Sequence, residues 1–420
     1  MLSAQLSYDI TDWLNISGRV RVDNTHTKYE QKLYASSNLT ITEESTQGHY
    51  TISKPDETQT YADVLANINK RFNDFSLVAN VGASIVNNRY EDLSYRGPIR
   101  EKGIPNVFNV FDLDNTKKKA RQDEWQEQTQ SVFASVEVGW KSMLYLTLTG
   151  RNDWASQLAN SSTPCFFYPS VGLSGVISEM LTLPEFIDYM KVRGSFSSVG
   201  MPYPRNLTSP TYEYDEANQQ WKPKTHYPIK DLKPERTNSW ELGLDMRLFK
   251  DFSLGFSWYL ANTFNQTFDP KVSVSSGYSK IYLQTGYVRN SGVELSLGYG
   301  HTWNNHLHWE SNFTLSHNKN TIKDLVTSYI HPETGLPITQ NRLDVGGLGK
   351  ARFILKKGGT LGDLYTQSDL KRDNSGMVEI DPSGALTTED NLPDIKLGSV
   401  FPKANLAWNN RFEWRGISLS

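Results

Sequence analysis

The chain has 420 residues, of which 37% are hydrophobic and 12% aromatic, and its formal net charge is −3. The hydrophobic fraction is low for a soluble enzyme with a large core, and the charge balance gives no overall attraction to nucleic acid, so no nucleic-acid partner is expected. No run of about 18 apolar residues occurs, which excludes a membrane helix but not a membrane β-barrel, whose strands are only half apolar.

The chain begins with the pattern of a strand and a turn. Residues 1–16 lack the basic and apolar regions of a signal peptide. We therefore expect the natural protein to begin upstream of Met1.

Alternation of apolar and polar residues is the main signal along the rest of the chain. Leu242, Leu244, Met246 and Leu248 are separated by Glu241, Gly243, Asp245 and Arg247, which is the period of a strand with one apolar face. The same period predicts strands in further segments, in chain order 132–140, 144–148, 252–260, 293–299, 307–315 and 406–414.

The connections between these segments alternate in length. Tight turns are predicted near 10–13, 72–75, 140–143, 250–252, 303–306 and 414–416, with a somewhat longer one at 181–189. Long polar loops are predicted at 24–58, 93–124, 156–166, 201–235, 269–285 and 320–399. A transmembrane barrel with short periplasmic turns and long extracellular loops requires this asymmetry, whereas a soluble sandwich does not.

Aromatic residues gather beside the short turns. They are Trp13, Phe72, Phe75, Trp140, Tyr145, Phe249, Phe252, Trp303, Trp309, Phe412 and Trp414. Cross-strand packing in a soluble sheet is one explanation, but recurrence at nearly every turn favours an interfacial girdle. The predicted fold is all-β, a partial antiparallel transmembrane β-barrel of about 14 strands from a full barrel of about 22.

Several motifs resemble the SusC/RagA-type family of TonB-dependent transporters. They occur in order along the chain as RNDWASQL (151–158), FFYPSVGLSGVISE (166–179), MKVRGSFSSVG (190–200), LKPERTNSWELGLDMRLF (232–249), YVRNSGVELSLGY (287–299), GGTLGDLYT (358–366) and VFPKANLAWNNRFEWRGISLS (400–420). The resemblance covers most of 125–420 and, more loosely, 1–92.

The resemblance implies a multi-pass barrel in the Gram-negative outer membrane, in contact with membrane lipid. It implies import of a large nutrient, an oligosaccharide or a peptide, under a SusD-like surface lipoprotein and with energy from the TonB complex. It also implies an N-terminal plug with an energy-coupling box, and final barrel strands. We expect all of these to lie outside residues 1–420, which would then be a middle portion of the barrel.

No catalytic motif, metal site or cofactor site is predicted. The sequence contains no HExxH, GxxxxGK[ST], GxSxG or GxGxxG. Cys165 is the only cysteine, which leaves no internal disulfide. His306, His308 and Glu310 would share a strand face, but polar positions facing a lumen are the commoner explanation. The segment 373–381 lacks the ligand spacing of an EF-hand.

Candidate ligand contacts lie in the 201–235 loop and at an outer strand end. They are the aromatic residues Tyr203, Tyr212, Tyr214, Trp221 and Trp154, whose rings offer flat surfaces for a sugar or a peptide. The alternative is that these rings only pack the loop. Two other functions remain open at this point: a β-rich glycan-binding adhesin or lectin, and a glycan hydrolase, against which the absence of a paired acid site counts.

Overall fold

One large sheet dominates the fold. The computed structural model describes residues 1–159, 161–205, 207, 212–215, 219–223, 226–227, 233–268, 280–281, 283–303, 306–330 and 337–420. Fourteen strands form an antiparallel meander in which each strand pairs with its neighbours in the chain. Numbered β1 to β14, they are Leu2–Thr11, Leu14–His26, His49–Phe72, Phe75–Pro98, Lys119–Trp140, Leu144–Ala155, Cys165–Val176, Ile187–Met201, Glu235–Leu248, Phe252–Phe268, Leu283–Trp303, Leu307–Asp324, Asn405–Trp414 and Ile417–Leu419.

Smaller elements lie in the connections. A short strand, Tyr29–Leu33, extends the pairing of β3, and Arg342–Leu348, Ala351–Lys356, Asp363–Thr366 and Ile395–Ser399 form a separate four-stranded sheet. The remaining strands form two-stranded pairs: Tyr212–Asp215, Gln220–Pro223, His226–Tyr227, Lys280–Ile281, Val326–Ile330, Pro337–Gln340, Asp369–Leu370 and Thr388–Glu389. Helical structure in the described part of the chain is limited to Val110–Asp112, Ser156–Leu158 and Ile177–Met180. No helix among these residues is long and apolar enough to span a membrane.

The register of the meander separates an apolar face from a polar face. Leu244 pairs with Phe256, Phe256 with Leu295, Leu295 with Leu315, and Leu315 with Leu406. Directly opposed residues on antiparallel strands point to the same side of a sheet. The predicted alternation therefore produces one continuous apolar surface, which we call the outward face because in a membrane barrel it meets lipid.

The apolar surface has the height of a membrane. On β9 it runs from Trp240 to Leu248 and on β10 from Phe252 to Leu260, spans of about nine residues, close to the 9–11 that a tilted membrane strand needs. Just beyond, the outward face turns polar, as at the paired Asn238 and Asn262.

A belt of aromatic side chains lines the short-turn end of the outward face. Its members form a chain of ring contacts with centroids 4.8 to 6.4 Å apart: Phe186, Phe249, Phe252, Tyr299, Trp309 and Phe412. This geometry is that of an interfacial girdle. Tyr145 is an exception to the prediction, because its neighbour Leu144 faces outward; Tyr145 therefore faces inward, over Gly139, where a Cβ atom would collide with its ring.

The turns alternate in length as predicted. Short connections join β1–β2, β3–β4, β5–β6, β9–β10, β11–β12 and β13–β14 at one end, together with the longer β7–β8 connection, residues 177–186, which was predicted at 181–189. The remaining connections lie at the other end. In the β13–β14 turn, Arg415 and Gly416 have φ of 48° and 88°. Positive φ at both central residues is the type I′ turn that suits the twist of a two-residue hairpin.

The long-loop boundaries were predicted too wide. β3 and β4 each have 24 residues and β5 has 22, so 49–58, 93–98 and 119–124 are strand. The ladder of backbone hydrogen bonds does not require an apolar face, and polar outward pairs such as Thr60–Asn87 and Thr58–Arg89 continue it above the membrane. Residues 320–399 also contain the four-stranded sheet rather than irregular loop alone.

Candidate functional site

Charged and polar side chains are connected across the inward face of the sheet. Arg193 on β8 donates to Glu241 on β9 at 2.5 Å and to Ser257 on β10 at 2.8 Å. Gly243 makes this reach possible, because a Cβ atom there would collide with the Arg193 side chain. A wall of paired charges suits contact with water and polar groups rather than with lipid.

A second inward cluster belongs to the RNDWASQL motif. Arg151 donates to Asp153 at 2.7 Å and to Ser131 at 2.8 Å, and the Tyr168 hydroxyl donates to the other oxygen of Asp153. Asp153 is buried, and these partners satisfy its charge. The motif thus ties β5, β6 and β7 together on the inward face.

The connection between β8 and β9 begins by folding over this face. Arg205, four residues after the end of β8, donates to Glu127 of β5 at 2.8 Å, and its guanidinium lies 4.0 Å from the ring centre of Trp125. Glu127 and Trp125 lie on the inward face with Ser131. Because β5 is three strands away from β8, the start of the connection crosses the inner side of β6 and β7.

Tyr203, one of the candidate residues, is buried at the start of this connection. Its side chain is only 2% exposed, and its hydroxyl has no hydrogen-bond partner in the described part of the chain. This burial favours a packing role, with little surface left for a ligand in this conformation.

Two other candidates meet in a hairpin of the same connection. Tyr212–Asp215 pairs with Gln220–Pro223, which places Tyr214 opposite Trp221 and Tyr212 opposite Pro223. The Tyr214 and Trp221 rings meet edge to face at 5.3 Å and are 46% and 69% exposed. The Tyr212 side chain lies outside the described structure. The hairpin therefore presents an open aromatic pair.

Trp154 lies apart from this hairpin. It pairs with Gln130 and Cys165, and strand alternation puts it on the outward face with Leu146 and Leu148. Its side chain is 44% exposed. This position, just beyond the apolar band, favours contact with the membrane boundary over contact with a ligand in the lumen.

The motif GGTLGDLYT docks the four-stranded sheet on the barrel wall, a role that the resemblance did not reveal. Ile322 of β12 exchanges backbone hydrogen bonds with Gly358 and Gly359, at 2.8 Å each. Leu361 donates its N–H to Asn320 at 2.9 Å and packs on an apolar cluster whose members are Val288, Ile322, Leu325, Leu343 and Leu355.

A buried carboxylate fixes the centre of this motif. Asp363 is 0% exposed and accepts hydrogen bonds from Lys396 at 2.7 Å and from the Thr360 hydroxyl at 2.6 Å. Burial alone would raise the pKa of Asp363, but these hydrogen bonds outweigh it and hold the pKa below its usual value. The pairing of Asp363 with Thr360 could have been predicted from the sequence, because the two residues are close in the chain. The pairing with Lys396 could not.

The residues that could have bound a metal ion do not come together in the structure. His306 lies in the turn before β12 rather than on a strand with His308, which contradicts the sequence reading. Asp373 and Asp381 each accept backbone N–H groups within their own turns. Among the described residues no group of three or more His, Cys, Asp or Glu side chains is arranged to hold a metal ion.

Comparison with known proteins identifies the family of this sheet. Residues 1–345 match the model of the TonB dependent receptor-like β-barrel, which is most of the chain. The chain belongs to the TonB-dependent receptor β-barrel family. Barrels of this family lie in the outer membrane of Gram-negative bacteria, so the outward face is a lipid-facing surface.

Relatives of this TonB-dependent barrel agree with the assignment. Two TonB-dependent receptors of Formosa agariphila, P39 and P26, are 23% and 26% identical over 77% and 74% of this chain. The aligned part is 30% and 33% of their own lengths, so the chain spans about a third of these relatives.

Solved structures share the fold. The RagAB peptide transporter superposes with a TM-score of 0.75 at 16% identity, over 99% of this chain and 46% of that chain. The ferric-catecholate import receptor Fiu of E. coli superposes with a TM-score of 0.50 at 13% identity. The TonB-dependent family implied by the resemblance is thus confirmed by the family model, and the RagAB superposition confirms the shared fold.

Proposed function

We propose that the full-length protein imports a large nutrient across the outer membrane, with a peptide favoured over an oligosaccharide. The proposal is supported by the β8–β9 connection, which begins by crossing the inward face at Arg205 and carries an open aromatic pair, Tyr214 and Trp221, further along. RagAB, whose fold this barrel shares, is a peptide transporter. Import by this protein would use the TonB complex for energy and a SusD-like surface lipoprotein as a lid, and the plug would lie outside residues 1–420.

We propose that Tyr214 and Trp221 contact the ligand. Tyr212 lies on the same strand of the hairpin as Tyr214, opposite Pro223. Rigid aromatic side chains supply large contact area at low entropic cost. Loss of either exposed ring should weaken substrate binding by about 1–3 kcal/mol, the scale of burying one such side chain.

The experiment compares uptake and binding in cells that carry the full-length gene. A labelled peptide mixture should enter wild-type cells, and entry should stop when a protonophore removes the energy source. Replacing Tyr214 and Trp221 together by alanine should lower peptide affinity, whereas Tyr29→Ala, which removes an exposed ring elsewhere, should not. Uptake that persists without energy would reject active import, and equal affinity in all variants would reject this hairpin as the contact.

A further inference from the structure

On the inward wall, a tryptophan ring and a carboxylate hold the positively charged side chain of one of the protein's own arginines. The Arg205 guanidinium lies 4.0 Å from the ring centre of Trp125 and is paired with Glu127 at 2.8 Å. The ring of Trp125 in turn stacks on Tyr90, with centroids 5.4 Å apart and planes 12° apart. A cation over an indole face, with a carboxylate at its edge, is a favourable pair of contacts for guanidinium and ammonium groups.

The surrounding wall strengthens attraction for cations. Glu57 faces Tyr90 in the register, and Asp92 faces Asp123 one step above. Burial first, and then the charges of Asp92, Asp123 and Glu57, raise the pKa of the Tyr90 hydroxyl, so these carboxylates act on the same spot. Arg121 offsets part of this charge through its 2.6 Å pair with Asp123.

Arg205 is not sealed into this place. Its side chain is 39% exposed and that of Glu127 is 21% exposed, so water and a ligand can reach the pair. An ion pair at this exposure contributes little net stability, about 0–1 kcal/mol, and a cation–π contact adds about 0.5–1 kcal/mol. A competing cation can therefore displace it.

We propose that Trp125 and Glu127, backed by Tyr90, form a binding site for the arginine or lysine side chain of a peptide substrate, and that Arg205 fills this site when substrate is absent. A bound basic peptide takes the place of Arg205 and releases the start of the β8–β9 connection from the inward wall. The proposal rests on the proposed peptide import and adds a preference for basic peptides over neutral ones.

The experiment measures binding to the purified full-length protein in detergent by calorimetry. The probes are the pentapeptide Ala-Arg-Ala-Arg-Ala and its analogue with citrulline, which has the same shape as arginine without the charge. Arg205→Met should increase affinity for the arginine peptide, because the internal competitor is gone; the increase is about tenfold if the wild-type site is free about one tenth of the time. Affinity for the citrulline peptide should stay unchanged.

Three further variants separate this site from a structural tether. Glu127→Gln and Trp125→Leu should weaken binding of the arginine peptide, and Arg205→Lys, which keeps an internal cation, should resemble wild type. If Arg205→Met lowers the affinity for the arginine peptide or leaves it unchanged, the proposal is overturned and Arg205 is only a structural tether. Thermal unfolding of each variant confirms that the barrel remains folded.

The outcome is separable from that of the proposed function. Arginine-selective binding without energised uptake would reject import but keep the site. Energised uptake of neutral and basic peptides with no effect of Arg205→Met on binding would reject the site but keep import.

Discussion

Replacing Leu295 by arginine tests which face of the sheet meets lipid. Leu295 lies between Phe256 and Leu315 on the outward face, and Phe256 is the middle residue of the apolar run from Phe252 to Leu260. Arginine at this depth is near the bilayer midplane, where a lipid-facing cation costs about 2–4 kcal/mol. Leu295→Arg should therefore destabilise the full-length barrel by that amount.

The adjacent residue provides a matched control. Ser296 faces inward, opposite Gly255 and Thr314, and Gly255 leaves room beside its hydroxyl. Ser296→Arg should change stability by no more than about 0.5 kcal/mol, because the new cation reaches a watery, polar wall. Asp245 is a poorer control, since it lies 3.8 Å from Arg193.

The assay is folding of both variants into lipid vesicles, followed by urea titration and by the gel mobility shift of folded barrels. The reasoning predicts a large loss for Leu295→Arg and almost none for Ser296→Arg. Equal losses would show that the two faces do not differ in environment. A larger loss for Ser296→Arg would mean that the inward and outward faces have been assigned the wrong way round.

Three further predictions concern the connections. Asp363→Asn should destabilise the four-stranded sheet by about 1–3 kcal/mol. Because the pKa of Asp363 is lowered in the folded state, the wild-type sheet should lose this stability as pH falls through the folded pKa. Hydrogen exchange of the sheet at low pH should therefore depend less on pH in the variant than in the wild type. Burial lowers the pKa of His49 below 6.5. The segment around Glu43, whose carboxylate lies 3.6 Å from His49 Nε2, should therefore become easier for a protease to cleave as pH falls below 6.5. His49→Gln should remove that trend. Gly416→Ala should cost about 1–2 kcal/mol at a φ of 88°, measured by urea titration, and an unchanged midpoint would contradict the type I′ turn.

Much of the barrel could be predicted from the sequence, because side-chain alternation is a local property of the extended backbone. The period of two identified the outward residues of β9 and β10. The same rule, continued from Leu146 and Leu148, would have put Trp154 on the outward face, although Trp154 was predicted as a ligand contact. Tight turns and girdle residues followed for a similar reason, since each depends on a few neighbouring residues and on the boundary of the membrane.

Strand ends above the membrane were not predictable in this way. Once the apolar face stops, composition no longer separates a paired polar strand from a polar loop. The 24 residues of β3 are strand because β4 pairs with it along its whole length, and β2 and then the short strand Tyr29–Leu33 pair with its other edge. That pairing depends on partners elsewhere in the chain.

Alternation and turn chemistry thus determined a lipid-facing meander with short turns at one end. Only the tertiary structure decided that Arg205 reaches Trp125 and Glu127 three strands away, that Tyr203 is buried, and that Lys396 pairs with Asp363. These contacts join residues 33 to 80 positions apart, and their geometry depends on how the connections pack on the wall. No local pattern encodes such a contact, because it exists only after the distant strands have paired.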